Sequence, residues 1–594
     1  MDSSSNAAAL SKELSDRFGT TQGIYDLFIE QCVDICQTCN VSPVDLYYTW
    51  ESLVLAPNAV GNRIITTETP SALKTVIQSR LKRAAEAREF KIEQNPRKAR
   101  GAPPANMLGL GSRMNMKYSV GLVETAPSPQ PQLANPRFIG KVGSSQVTFE
   151  SNDIEGSSQD RRNYKYMYEK ISERSGVLDE RINAIADLVS QHYGLSDLAD
   201  PSASSDEAVV VVGRITVDAE ASSGSGKLNE TSLCIESSRM MGSGVRVPLR
   251  FAPNFKVRGG PKGQANVSLF PGAIVALRGK NGGGGWFSVN EVLSLPCLFP
   301  STPSTSNDQG LKQEPRETSF SMAIACGPFT QDSDLQYKPW SSLFKSLLSL
   351  RPGVVLLIGP FVDSNNEKIK TGDTDQAPSE LFYDQFTEKL HEFLETSPNS
   401  LILIVPSVRD VISNHCVYPQ SPLGFADLSV DPRIKLLPNP CRFSLNGVSF
   451  AVTSVDVLFH LRKEQLVMRA EEVESLEVDG QLPATDTMAS LSRLILQQRC
   501  FYPLFPSPLE LSHEVNLDIS HFEHLALCHE DETYAPDVLI VPSRLKHFSK
   551  VVDHTVAVNP SFVYKSVSAN LIFGGQGEGP ISSRIKVDVE RILE

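Results

Sequence analysis

The residue types that could do chemistry in this sequence gather at a few places, beginning with a pair of turns. Cys326-Gly327-Pro328 and Gly359-Pro360-Phe361-Val362-Asp363 each follow a short apolar run. Cys326 and Asp363 therefore stand at the ends of two predicted strands, where open α/β sheets usually place their chemistry. His513, His521, His524 and His529 cluster further on. His521 and His524 differ by an odd number, so on a strand they would point to opposite faces, which favours ordinary hydrogen-bonded or exposed roles. His415 and Cys416 have no paired base and acid beside them, and no nucleophilic triad is expected there. Cys32, Cys36 and Cys39 recur at spacings that put three thiols on one helical face; with no matching Cys or His pair nearby, they are expected in a core and not around a metal. Gly226-Lys227 has the look of a phosphate loop, but Leu228 replaces the Ser or Thr and Ala221 stands where the first Gly belongs, so that motif is absent. Ser128, in Ser128-Pro129-Gln130-Pro131, is a candidate for proline-directed phosphorylation.

The elements that must position Cys326 and Asp363 follow from periodicity. Residues 319–325 alternate small or polar residues with Phe320, Met322 and Ile324, as a strand does. Pro339 suits a first helical turn, Trp340, Leu343, Phe344, Leu347 and Leu348 share a helical face, and Arg351-Pro352-Gly353 ends the pattern. Val354-Val355-Leu356-Leu357-Ile358 is apolar throughout, as in a buried strand. This strand, helix, strand unit opens an α/β region. Further strands are expected at 401–405, 450–453, 538–541 and 556–558, with amphipathic helices around Leu381, Phe386 and Leu390 and around Leu491 and Ile495. The acidic stretch 471–479 is expected to be a solvated insertion.

At 594 residues the chain has room for three or more domains, and its net charge of −13 argues against a surface that embraces nucleic acid as a whole. Ten cysteines without regular spacing indicate reduced thiols and an intracellular setting. No apolar run approaches bilayer length and the N-terminus has no signal-like pattern, so neither secretion nor membrane insertion is expected.

The chain divides into an all-α helical domain at 1–94, a flexible linker at 95–160, a helical segment at 161–200, a barrel domain at 201–300, a linker at 301–318 and the α/β domain at 319–594. Ten Lys or Arg against three Glu between 80 and 117, including Lys82-Arg83 and Arg97-Lys98-Ala99-Arg100, read either as a nuclear import signal or as a solvated charged linker. Arg161-Arg162-Asn163-Tyr164-Lys165-Tyr166 mixes cations with aromatics as a nucleic-acid groove would, although a packed helix with a basic side explains it as well. Strands at 209–217, 232–236, 245–251, 273–278 and 286–295, joined by Gly-rich turns, predict a small barrel of the oligonucleotide/oligosaccharide-binding (OB) type. Between 208 and 296 there are ten Lys or Arg against five acids, but the aromatics are few and several must fill the barrel interior, so DNA contact there is expected to be weak or indirect.

Several of these stretches together carry a family likeness. Cys326-Gly327-Pro328-Phe329-Thr330, Gly359-Pro360-Phe361-Val362-Asp363, Val405-Pro406-Ser407-Val408-Arg409-Asp410, Tyr418-Pro419-Gln420, Tyr502-Pro503-Leu504, Pro536-Asp537-Val538 and Val558-Asn559-Pro560 resemble the B-subunit family of DNA polymerase alpha. The order of parts agrees, and the similarity covers nearly the whole chain. The resemblance implies an α/β domain of the calcineurin-like phosphoesterase type. Such enzymes hold two metals on Asp, Asn and His at successive strand ends, to clamp a phosphate and activate a water. Here the Asp-x-His position reads Cys326-Gly327-Pro328, and the Gly-Asp-x-x-Asp position has Pro360 in place of its first Asp. Ser407-Val408-Arg409-Asp410 lacks the Asn and His, and Val541-Pro542-Ser543-Arg544 lacks both His of the last motif. Only Asp363 and Asp410 survive as carboxylates, and Arg409 would repel a metal, so no catalytic, metal or cofactor-binding residue is expected.

The resemblance further implies a non-catalytic accessory subunit of the polymerase alpha–primase complex, working in the nucleus. Its barrel and inactive phosphoesterase domain would clasp the zinc-bearing C-terminal region of the catalytic subunit and meet the primase subunits through the complex. The tethered N-terminal domain would recruit other replication factors. Three other readings stay open: a B subunit of another replicative polymerase, a single-strand-binding module acting through the barrel, and a metal-dependent phosphodiesterase with unusual ligands.

Overall fold

The computed structural model describes residues 147–151, residue 166 and most of 170–592, together with isolated positions between 11 and 47. The chain divides into two compact units, Met1–Pro131 and Gln132–Glu594. In the first, Leu14, Phe28, Cys32, Ile35, Cys36 and Leu46 are buried. Burial and the neighbouring Cys36 push the Cys32 thiol up to about 12, as befits a core thiol. Cys39, Ser128, the basic stretch between 80 and 117, the linker at 301–317 and most of the 95–160 linker lie outside the described residues.

The second unit begins with a strand, β1 (Phe149–Ser151), inside the stretch read from composition as linker. Helix α1 (Ile171–Tyr193) follows, closed by Gly194 in the left-handed conformation. Its Ile182, Ile185, Ala186 and Val189 pack on Val210, Val212, Ile274 and Ala276 of the barrel. The barrel strands are β2 (Val209–Val217), β3 (Leu233–Glu236), β4 (Arg246–Arg258), β5 (Asn266–Leu269), β6 (Ile274–Lys280) and β7 (Phe287–Leu293). β2 pairs antiparallel with β3 and β6, β3 with β4, and β6 with β7. A parallel pairing of β4 with β7 closes the ring. β5 stands outside it, and its four residues are too few to register as a period.

The α/β domain continues through β8 (Phe320–Cys326), α2 (Lys338–Leu350), β9 (Val354–Ile358), α3 (Glu388–Thr396), β10 (Leu401–Val405) and β11 (Ile434–Leu436). Next come β12 (Cys441–Leu445), β13 (Val448–Val452), α4 (Val457–Glu464), β14 (Leu466–Arg469), β15 (Glu471–Val473) and α5 (Thr487–Gln497). The last strands are β16 (Val538–Ile540), β17 (Phe548–Val552), β18 (Thr555–Asn559), β19 (Val567–Phe573) and β20 (Ile585–Arg591).

Two six-stranded sheets, ordered β11-β10-β9-β8-β19-β20 and β1-β12-β13-β16-β18-β17, share one core. Strand alternation decides which side chain enters it. Phe320, Met322, Ile324 and Cys326 of β8 meet Phe443, Phe450, Val538 and Val556 between the sheets, while Ala323 and Ala325 face Trp340, Leu343 and Phe386 in a helical layer. The second sheet turns Ala451, Leu539 and Ala557 toward Leu458 of α4 and Leu491 of α5. The result is four layers, helix on sheet on sheet on helix. β1 is held at its edge by pairing with β12, and the Thr148 amide and hydroxyl both donate to Asn446 Oδ1 at 2.9 Å.

The barrel is joined to these layers through its strands and its core. β14 pairs with β5 and β15 with β4, so the first part of the expected solvated insertion at 471–479 is instead a strand on the barrel's edge. Unpaired ladder groups on β4 favour that partner over water. Glu472 accepts from the Gly263 amide at 3.1 Å, and Glu474 pairs with Arg258 at 2.5 Å. The Gln498 side chain bonds the Ile274 amide and carbonyl, each at 2.9 Å, as a strand neighbour would. Gly272, at φ +97°, admits the close approach of Phe505, whose amide would lie 2.3 Å from an added Cβ. Among the described residues no helix is long and apolar enough to cross a membrane.

Candidate functional site

The turns after β8, β9 and β10 lie side by side because the ladder runs past the strands: the Gly327 amide donates to the Ile358 carbonyl at 2.7 Å and the Gly359 amide to the Val405 carbonyl at 2.8 Å. Neither glycine has room for a side chain. A Cβ at Gly327 would sit 2.0 Å from the Pro360 carbonyl oxygen, and one at Gly359 would sit 2.2 Å from Asp410 Oδ2. Cys326, Asp363 and Asp410 are all buried here. The Cys326 thiol approaches the Gly359 carbonyl at 3.6 Å, and burial pushes its pKa well above the ordinary value. A thiol held protonated is a poor nucleophile and a poor ligand.

Both carboxylates are engaged. Asp410 Oδ1 accepts from the Phe361 and Val362 amides, the latter at 3.2 Å, and Oδ2 accepts from the Ser407 amide at 2.8 Å. Burial, offset in part by these three donors, pushes the Asp410 carboxyl up to about 7. Asp363 takes Arg409 at two points, Nε on Oδ1 at 3.1 Å and Nη2 on Oδ2. Burial alone would lower the Arg409 pKa; the Asp363 carboxylate outweighs it and keeps the guanidinium charged.

A second polar chain adjoins this pair, and the sequence reading did not find it. Asp456 caps α4 by accepting from the Phe459 amide at 3.1 Å, and it also accepts from Arg544 N at 2.8 Å and Nε at 3.0 Å. Arg544 reaches on to Glu514, which also meets His460 Nε2 at 3.3 Å, and His460 Nδ1 lies 2.9 Å from the Tyr502 hydroxyl. Burial would raise the Glu514 carboxyl, but His460 and Arg544 outweigh it and hold the group at about 2. Sequence offers no signal for this chain, whose partners are 30 to 88 residues apart.

The two-metal set implied by the resemblance does not fit these residues. Pro360 offers no side-chain ligand, Arg409 occupies Asp363, and the oxygens of Asp410 are turned to backbone amides. Among the described residues no group of three or more His, Cys, Asp or Glu could hold a metal ion. The histidine expectation needs a correction of geometry. His521 and His524 lie on helical turns, Ile519–His521 and Phe522–Leu525, where a spacing of three brings side chains together: their rings are 6.4 Å apart, with Glu523 at 3.8 and 3.9 Å. His513, His415 and Cys416 are exposed, and His529 lies outside the described residues. The Tyr166 ring packs 5.0 Å from that of His415 and 6.0 Å from that of His521, and its hydroxyl donates to the Pro419 carbonyl at 2.7 Å. It is thereby part of the fold; residues 161–165 lie outside the described ones.

In the barrel, five of the six arginines meet acids. Arg214 and Arg246 share Glu236, Arg258 and Arg278 share Glu291, and Arg239 pairs with Asp179.

Sequence comparison agrees with this anatomy. A family model for the B subunit of DNA polymerase alpha/epsilon matches residues 322–550, and one for the OB domain of the DNA polymerase alpha B subunit matches residues 175–295. The DNA polymerase alpha B subunit of Schizosaccharomyces pombe is 32% identical over 556 residues, 90% of this chain and 91% of that one. The protein of the same name from Saccharomyces cerevisiae is 30% identical over 68% of this chain and 58% of its own, and that from Bos taurus is 30% identical over 65% and 57%. A solved structure, TT1561 of Thermus thermophilus, aligns over 46% of this chain and all of its own with 11% identity and a TM-score of 0.21, too low to carry an argument.

Proposed function

This chain belongs to the B-subunit family of DNA polymerase alpha, and from that premise we propose that its barrel and layered α/β domain form a non-catalytic scaffold within the polymerase alpha–primase complex. It is an accessory subunit of polymerase alpha. The observation that carries the scaffold reading is the Arg409–Asp363 pair beside Pro360, which puts a guanidinium and a ring where a phosphoesterase would need ligands. We read the α/β domain as a phosphoesterase fold that keeps its strand ends and has lost its metals. Continuity of core between barrel and layers supports a single rigid surface for the zinc-bearing C-terminal region of the catalytic subunit. On this reading the 1–94 domain recruits other replication factors at the raised local concentration that the linker between it and β1 provides. The site of action is the nucleus, and Ser128 is a site for phosphorylation.

Affinity purification of a tagged full chain tests this reading. Recovery of the polymerase alpha catalytic subunit and the primase subunits is expected, with Ser128 phosphorylation read by mass spectrometry in the same preparation. Absence of any polymerase subunit would sink it. Metal-dependent phosphodiester hydrolysis by the purified chain, lost in Asp363→Ala, would revive the enzyme reading.

A further inference from the structure

We propose that the barrel carries a contact for single-stranded nucleic acid, built on Arg250 and Trp286 and flanked by Lys280. This goes beyond the scaffold reading and does not rest on it. The observation is a contrast among the barrel's cations. Arg214, Arg246, Arg258 and Arg278 are each tied to a carboxylate. Arg250 and Lys280 are exposed and, among the described residues, form no ion pair. The Arg250 guanidinium instead lies 3.8 Å over the Trp286 ring, which is itself 37% exposed.

The strand register shows how these groups are placed. Arg250 on β4 stands opposite Ser288 on β7, and Ser288 stands opposite Lys280 on β6. Trp286 precedes Ser288 by two residues, which is the spacing of one strand face. The loop leading into it is glycine from 282 to 285, and a side chain at Gly284 would come within 2.7 Å of the indole. The bare loop therefore lets the backbone lie against the ring while the rest of the indole stays open. Two cations without ion pairs on the strands flanking β7, one of them lying over a part-exposed aromatic ring, suit phosphates and one stacked base. A duplex keeps its base faces stacked inside and cannot use the indole, and an acidic peptide would use the cations alone.

The test is fluorescence anisotropy of a fluorescein-labelled short oligothymidylate with the purified full chain across a salt series. Wild type is expected to bind with an affinity that falls as salt rises. Trp286→Ala should weaken binding roughly tenfold, and Arg250→Ser should weaken it while reducing the salt slope by about one. If Trp286→Ala does not fold, Trp286→Leu keeps apolar cover without the stacking plane, and its melting temperature reports folding. No binding at low salt overturns the proposal. So does equal binding by the variants, which would move the contact elsewhere, or competition by duplex or polyglutamate as effective as by the single strand.

Discussion

A buried carboxylate needs either a partner or a proton, and the two acids at these strand ends take one course each. Asp363 has Arg409. Replacing Arg409 by Met strands a charge in the interior and should cost about 3–5 kcal/mol, whereas the double change with Asp363→Leu should recover most of it, since an apolar pair needs no desolvation. Denaturant melts of the three variants decide this, and a neutral Arg409→Met would show the pair to be idle. Asp410 keeps its proton more readily, with a pKa raised from the ordinary 3.8 to about 7. The fold thus favours the protonated form: its stabilisation is complete below the ordinary carboxylate range and is lost as pH rises through about 7. Asp410→Asn, always neutral, gives up one acceptor but should flatten that slope, so the stability difference between wild type and variant narrows with rising pH; parallel curves would refute it. Glu514 behaves oppositely. Held at about 2, its stabilisation is present above the ordinary 4.5 and is lost as pH falls toward 2, and Glu514→Gln should remove that acid limb. That Asp363 and Asp410 follow predicted strands is legible in the sequence; that one is paired with Arg409 and the other has its pKa raised to about 7 depends on what burial places around them.

At the scale of elements, the strand ends are shaped by what glycine permits. Gly327→Ala must displace the Pro360 carbonyl and should cost about 1–3 kcal/mol or more, while Gly176→Ala, in α1 with nothing within 4 Å, should stabilise by roughly 0.5–1 kcal/mol. Thermal melts of the pair separate close packing from chain entropy, and equal effects would contradict the geometry. Elements with a strong period were readable beforehand. β2, β9 and β10 match their expected bounds. β5, β14 and β15 were not readable, because three or four residues carry no period and their partners come from the far side of the sequence. β1 was hidden by the polar, Gly- and Ser-rich composition around it.

Over the whole molecule, the barrel and the layered domain share apolar contacts and backbone pairing, which should make them one cooperative unit. Gln498→Leu leaves the Ile274 amide and carbonyl buried without partners, at about 1–3 kcal/mol for each group, and should lower a single unfolding transition. Calorimetry that resolved a separate barrel transition would show the two parts to be independent.

The sequence by itself determined the layered α/β architecture and the OB barrel, because periodicity and short motifs are local properties. Tertiary structure decided the rest. It chose Arg409 as the charge on Asp363, joined Asp456, Arg544, Glu514 and His460 into one chain, and neutralised four barrel arginines while leaving Arg250 on Trp286. These are matters of which groups meet once water is excluded, and a pairing between residues 46 or 88 positions apart leaves no trace in the spacing of either. The turns at Cys326 and Asp363 thus keep the outline of a site in sequence, and only their surroundings show how its charges were settled.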